Sequence, residues 1–113
     1  MINSYVNIQA MDPDRIFGAL ASGPRRRILG RLSQAELTTT ELAEHFEMSA
    51  PAISRHLSVL ENAGLASSQR RGQRVLYSLV RDTLIDALSG FTAELSSPAL
   101  TAAGTGRTRR EAI

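Results

Sequence analysis

The spacing of apolar residues changes at Gly64, and this change constrains the fold more than any other feature of the chain. Before it, apolar residues recur at steps of four and three, at Ile53, Leu57 and Leu60, which is the pattern of one helix face. After it, Val75, Tyr77 and Leu79 alternate with Leu76 and Ser78, as in a strand. The sequence therefore predicts a helix that ends at Gly64, as a left-handed residue, followed by a hairpin over 65–79 that turns around Arg71-Gly72-Gln73.

Capping signals predict the remaining elements. Asp12 and Pro13 begin a first helix, and Gly23-Pro24 ends it and begins a second that runs to about 32. Thr38-x-x-Glu41 is a capping box for a short third helix over 39–46. Ser49 caps the fourth helix, which has a proline in its first turn and runs to about 63. Asp82 or Thr83 begins the last helix.

This order, ααααββα, predicts a mainly α domain with a small β-hairpin, of the winged helix-turn-helix type. The domain spans 12–95. Residues 1–11 are expected to form an arm or a short helix, and residues 96–113 a flexible basic tail, because serine, proline, glycine, threonine and alanine dominate there.

Composition removes several classes of function. The chain has no cysteine, which excludes disulfides, thiolate metal sites and thiol sensors. His45 and His56 are its two histidines, and neither lies in a metal-binding spacing such as H-E-x-x-H. Since no nucleophile, base and orienting group occur together, an enzyme is not expected. There is no secretory signal and no apolar run of about 18 residues, so the expected location is the cytoplasm.

Basic residues are concentrated in the second half of the predicted domain. All 13 basic residues of the chain are arginine, whose planar fork suits phosphates and guanine edges. Between 49 and 81 there are five arginines and one acid, Glu61, a local balance of 5 − 1 = +4. A polyanion such as DNA is therefore expected to bind this stretch.

The fourth helix and the hairpin carry the candidate DNA contacts. The helix has small residues and one arginine on its outer side, which allows close approach in the major groove. The hairpin arginines are expected to meet phosphates or the adjacent minor groove. The predicted contacts are Ser49, Ala50, Pro51, Ala52, Ser54, Arg55, Ser58, Arg70, Arg71, Gln73 and Arg74. Further candidate phosphate contacts are Arg26, Thr38, Thr40 and His56, although Arg26 fits a solvated face equally well.

Two apolar stripes exceed what a small domain can cover by itself. The first helix carries Ile16, Phe17 and Leu20, and the last carries Leu84, Leu88, Phe91 and Leu95. The steps of four, three and four in the last helix are those of a helix-pairing seam. The sequence therefore predicts that these residues form a dimer interface, which would also offer room for an apolar effector.

Four segments together resemble the ArsR/SmtB family of bacterial winged-helix repressors. They are Met48 to Leu65, Gly-Pro-Arg-Arg-Arg-Ile-Leu at 23–29, Thr-Glu-Leu-Ala at 40–43 and Arg-Arg-Gly-Gln-Arg-Val-Leu-Tyr at 70–77. The resemblance implies a homodimer joined by its first and last helices that binds a pseudo-palindromic operator. It also implies that the protein represses by occupying a promoter and is released by an inducer.

The chain departs from the best-known members of that family at their metal sites. Those members use cysteines, or histidine and carboxylate ligands on the last helix, where this chain offers Asp82, Asp86 and Glu94. We therefore expect a repressor with no thiol sensor, no metal sensor and no cofactor. The alternatives are a metal-responsive repressor that uses these acids with a histidine, and a winged helix that serves as a protein-interaction module.

Overall fold

The computed structural model describes residues 12–96 of the chain. The elements in this range are α1 (Pro13–Leu20), α2 (Gly23–Leu32), α3 (Thr39–Phe46), α4 (Ala50–Asn62), β1 (Ala66–Arg71), β2 (Arg74–Leu79) and α5 (Arg81–Ser96). They confirm the predicted order ααααββα and the mainly α class. The predicted arm over 1–11 lies outside the described residues, as does the tail beyond 96. None of the described helices is both long enough and apolar enough to cross a membrane.

Side-chain caps begin the four helices that precede the hairpin. Ser49 Oγ accepts a hydrogen bond from the backbone N–H of Ala52 at 3.2 Å, at the start of α4. The capping box predicted for α3 is present, with Thr38 and Glu41 each bonding the other's backbone N–H. Asp12 caps α1. Helix α2 begins at Gly23, as predicted, and is capped by Ser22, whereas α1 ends earlier than predicted, at Leu20.

Helix α4 is the centre of the hydrophobic core. Its inner residues Ile53, Leu57 and Leu60 are fully buried, as their spacing predicts. Residues from the surrounding elements pack around them, namely Ile16, Ala19, Ile28, Leu29, Leu32, Leu42, Ala63, Leu65 and Ala66. Because one side of α4 is held in this way, its opposite side is fixed in place on the surface of the domain.

The hairpin is attached to the domain along one edge. Strands β1 and β2 pair antiparallel from Ala66 opposite Leu79 to Arg71 opposite Arg74, and a two-residue loop begins with Gly72 at φ 66°. At the base, Leu37 and Tyr77 exchange two backbone hydrogen bonds of 3.1 and 2.8 Å. This bridge joins β2 to the segment before α3, so the base of the hairpin is fixed while its tip projects.

The turn between α3 and α4 has three residues, 47–49, as expected for a helix-turn-helix. Glu47 adopts a left-handed conformation with φ 55°, which is uncommon for a residue other than glycine. Gly64 also has a positive φ, 76°, and it follows α4 as predicted. These two residues set the directions in which the chain enters and leaves α4.

Candidate nucleic-acid interface

The outer side of α4 is a small-residue surface with one cation. Exposed positions on this helix and its cap are Ser49, Ala50, Pro51, Ser54, Arg55, Ser58, Val59 and Asn62. Ala52 is half-buried, so its methyl group contributes less surface than the sequence suggests. Val59, with 39% of its surface exposed, belongs to this side too, although it was absent from the predicted contacts.

Arg55 is the cation at the centre of this surface. Its guanidinium makes no hydrogen bond or ion pair with any residue between 12 and 96, so all of its N–H donors remain available to an acceptor. Ser49 lies one helical turn and a half earlier, at the cap. Its oxygen accepts from Ala52, which leaves the hydroxyl hydrogen free to donate to a phosphate oxygen.

Two of the three hairpin arginines are paired with carboxylates from the body of the domain. Arg71 Nη1 lies 3.0 Å from Glu36 Oε1, and Arg74 Nη2 lies 2.9 Å from Glu41 Oε2. Arg70 bonds to the carbonyl of Gly72 at 3.4 Å. These two acids were not counted in the charge balance between 49 and 81, because both lie before residue 49 in the sequence.

The N-terminus of α3 and the hairpin form a shallow concavity of about 380 Å³. It brings together four of the predicted contacts, Thr38, Thr40, Gln73 and Arg74, with Thr39 and Val75. The pKa of the Glu41 carboxyl is lowered, first by the backbone N–H of Thr38 and also by the charge of Arg74. Glu41 therefore remains an anion beside the hairpin at neutral pH.

His56 is half-buried on α4, close to two arginines. Its pKa is lowered from 6.5 by burial first, and then by the charges of Arg25 and Arg55. His56 is therefore neutral at pH 7 in the free protein and offers one N–H donor. The influence of Arg25 shows that this arginine lies near α4, which sequence reasoning did not anticipate.

Arg26 lies beside α5. Its Nη1 donates to the carbonyl of Leu20 at 2.6 Å, and its side chain lines a groove with Leu84 and Leu88 of α5. The phosphate contact of Arg26 stays a prediction. Arg25 makes a similar contact, because its Nε donates to the carbonyl of Ala19 at 2.7 Å. Both arginines of α2 therefore bond to carbonyls at the end of α1, which determines the direction of their side chains.

Helix α5 has no buried residue and carries an exposed apolar stripe. Leu88, Phe91 and Leu95 are 45%, 50% and 67% exposed, and Ile85, which was absent from the predicted set, is 50% exposed. Leu20 and Leu84 are half-buried against the core. Phe17 packs edge-on against Phe91 with ring centroids 5.8 Å apart. Apolar exposure of this extent is typical of interaction surfaces, and the assignment of these residues to a dimer interface stays a prediction.

Ile16 needs correction as a predicted interface residue. It is 2% exposed and belongs to the core of the subunit, because the inner side of α1 faces α4 rather than solvent. It has no free surface to offer to a second copy.

The acids considered as metal ligands do not form a cluster. Among residues 12–96, no three histidine or acidic side chains lie close enough to hold a metal ion. Asp86 and Glu94 line a cleft of about 220 Å³ between α1 and α5, and no histidine lines it.

The chain is similar to known bacterial regulatory proteins. The family model for bacterial regulatory proteins of the arsR family matches residues 22–68. The transcriptional repressor SdpR of Bacillus subtilis (strain 168) is 38% identical over 76 residues, which is 67% of this chain and 84% of that protein. An ArsR-like transcriptional regulator from Rhodococcus sp. RHA1 has 27% identity and a TM-score of 0.71, covering 87% of this chain and 94% of its own.

A solution structure from Mycobacterium bovis is also similar, with 31% identity and a TM-score of 0.61. The match covers 72% of this chain and 77% of that one. That protein is described as a homodimeric winged helix-turn-helix DNA-binding domain of a possible ArsR-family transcriptional regulator.

Proposed function

The chain belongs to the ArsR family of bacterial regulatory proteins, and on this basis we propose that it is a homodimeric, sequence-specific repressor that acts by occupying a promoter. The observation that carries the proposal is the outer side of α4. It presents small residues around Arg55, whose guanidinium has no partner among residues 12–96, while the inner side is fully buried. Such a helix can enter the major groove and reach a guanine edge.

The hairpin supplies the second part of the proposed interface. Arg70, Arg71 and Arg74 are exposed and approach the phosphates that flank the groove. Contacts to phosphate hold the protein on any DNA sequence, and base contacts select one sequence. Helix α4 therefore selects the operator sequence. The hairpin adds affinity for any DNA, together with Thr38, Thr40 and Gln73 in the adjoining concavity.

Dimerisation is the third part of the proposal. The stripe on α5 with Ile85, Leu88 and Leu95 is apolar and exposed, and the related domain from Mycobacterium bovis is a homodimer. A two-fold dimer presents two α4 helices to half-sites about one DNA turn, roughly 34 Å, apart. The proposed operator is therefore a pseudo-palindrome.

The proposed repressor uses neither a thiol nor a metal as its sensor. The absence of cysteine from the chain supports the first point. The second is supported by the lack of any group of three histidine or acidic side chains among residues 12–96 that could hold a metal ion. A metal sensor predicts that zinc or nickel raises the melting temperature, because specific binding stabilises the folded state. We expect no such rise with the full chain.

Selection of bound fragments from a genomic library, followed by titration at several salt concentrations, tests the function. We expect enrichment of a two-fold symmetric sequence that is bound roughly a thousandfold or more tightly than random DNA. Binding of all fragments alike would contradict sequence-specific repression. No retention even at low salt would favour the protein-interaction module instead.

A further inference from the structure

A groove of about 460 Å³ lies between α5 and the first two helices, and it is separate from the proposed DNA contacts on α4. Leucines from four elements form its walls, namely Leu20, Leu29, Leu79, Leu84 and Leu88. The volume falls within the range of small-molecule sites. Apolar walls of this kind recognise a hydrocarbon chain, since burial of apolar surface is the main favourable contribution that they provide.

Two arginines line the same groove, and no carboxylate does. Arg26 Nη1 donates to the carbonyl of Leu20 at 2.6 Å, and Arg81 Nη2 donates to the carbonyl of Ser33 at 3.2 Å. These bonds hold each guanidinium at the groove. Each uses only one of the five N–H donors of its guanidinium, so several donors remain for an anion.

We propose that this groove binds an amphipathic carboxylate, with an unbranched apolar chain against the leucines and the carboxylate paired with Arg81. Two arginines and no acid among the lining residues favour an anion over a neutral or cationic ligand, and the planar fork of arginine suits a carboxylate. The occupant is thereby distinguished from a purely apolar ligand, which the arginines would not recognise.

Binding of the ligand also affects the DNA-binding surface, and this step rests on the proposed function. The groove is walled by α2, which packs against α4, and by α5, which carries the proposed dimer stripe. A chain inserted between α2 and α5 changes the angle between them. In the dimer this alters the distance between the two α4 helices, so occupancy weakens operator binding.

Titration calorimetry on the full chain without DNA tests the site directly. The ligands are hexanoate, octanoate and decanoate below their micellar concentrations, with octanol and octylammonium as head-group controls. We expect saturable binding that tightens about fourfold with each added methylene, and octanoate should bind at least tenfold more tightly than octylammonium. Equal affinities for the three eight-carbon ligands would overturn the assignment, and so would the absence of saturable binding.

Matched variants locate the binding site. Gly30 lines the groove, and a Cβ added there meets nothing within 4 Å, so Gly30→Met fills the groove without a clash at Cβ. We expect at least a tenfold loss of octanoate affinity. Gly18→Met is the control, because Gly18 is also helical with nothing within 4 Å but does not line the groove. A similar loss in both variants, or in neither, would overturn the site.

The role of the Arg81 charge is tested with Arg81→Gln. The control is Arg15→Gln, because Arg15 is an exposed arginine on α1 outside the groove. We expect at least a tenfold loss of octanoate affinity for the first variant and an unchanged affinity for the second. Retention of full affinity by Arg81→Gln would remove the basis for an anionic ligand.

The DNA step has a separate readout. Octanoate should raise the Kd of the selected operator at least tenfold for the wild type and leave that of Gly30→Met unchanged. If octanoate binds but no operator exists, the proposed function fails and the ligand site remains. If the operator is bound but octanoate is not, only the ligand site fails. Dissociation of the dimer by Gly30→Met would show that a second copy covers the groove, and this would overturn the ligand proposal.

Discussion

Arg74 of the hairpin donates from Nη2 to Oε2 of Glu41 at 2.9 Å, across 33 residues of sequence. The other oxygen of the same carboxylate accepts the backbone N–H of Thr38 at 2.8 Å. One side chain therefore closes the capping box of α3 and also holds the hairpin. In the proposed complex, a phosphate and Glu41 compete for the same guanidinium.

The pH dependence of stability tests the role of Glu41. Its pKa in the fold is lowered from 4.5, so its stabilising contribution is complete above that value and is lost as the pH falls through the lower, folded-state pKa. Glu41→Gln keeps a capping acceptor but cannot titrate. We expect urea unfolding at a series of pH values to show that this variant loses less stability than the wild type in acid.

Glu44→Gln is the control for that measurement, because Glu44 is an exposed carboxylate on the same helix. Its profile should follow that of the wild type. A Glu41→Gln profile as steep as that of the wild type would contradict the assignment.

DNA binding by Glu41→Gln provides a second prediction. Removal of the negative charge frees Arg74 for phosphate, so affinity should rise at low salt by a similar factor on operator and random DNA. Fluorescence anisotropy with both DNAs measures this. A gain restricted to the operator would indicate instead that Glu41 reads bases.

Alanine substitutions at Arg55 and Arg71 should affect DNA binding in different ways. Arg55→Ala should reduce operator binding by about 1 to 3 kcal/mol and affect random DNA little. Arg71→Ala should weaken both DNAs and reduce the slope of log Kd against log salt by about 1. Arg15→Ala removes the same charge from α1 and should change neither. Equal losses on both DNAs for Arg55→Ala would contradict base readout.

Ile85 tests the proposed dimer surface on α5. It is 50% exposed, so Ile85→Glu leaves the subunit fold intact but introduces an unpaired charge into the interface. We expect the dimer to weaken by about 3 kcal/mol or more, roughly a hundredfold, as measured by sedimentation. Ala35→Glu, on an exposed loop, should remain dimeric. Unchanged association of Ile85→Glu would remove α5 from the interface.

Two glycines provide a matched test of backbone conformation. A Cβ added at Gly72 or Gly30 meets nothing within 4 Å, but Gly72 has φ +66°. Gly72→Ala should therefore destabilise the fold by about 1 to 2 kcal/mol, and Gly30→Ala, inside α2, should stabilise it by about 0.5 to 1 kcal/mol. Thermal unfolding gives both values. Stabilisation by both substitutions would contradict the positive φ of the hairpin turn.

Much of the fold could be predicted because its signals are local. The capping box at Thr38 and the buried stripe at Ile53, Leu57 and Leu60 are both present in the structure. Ser22 was missed as a cap because the adjacent Gly-Pro is a stronger boundary signal. The site was predicted less completely. The contacts of Arg26 with Leu20 depend on how α1 packs against α2, which spacing along one helix does not report.

The sequence by itself determined which segments become helices or strands, since caps, turn residues and apolar spacing act over a few residues. Only the tertiary structure decided which of those residues meet. It buried Ile16 while leaving Ile85 exposed, and it brought Glu36 and Glu41 to the hairpin arginines. The physical reason is that such contacts join residues distant along the chain. Their partners are set by how helices and the hairpin pack together, and not by the order of neighbouring residues.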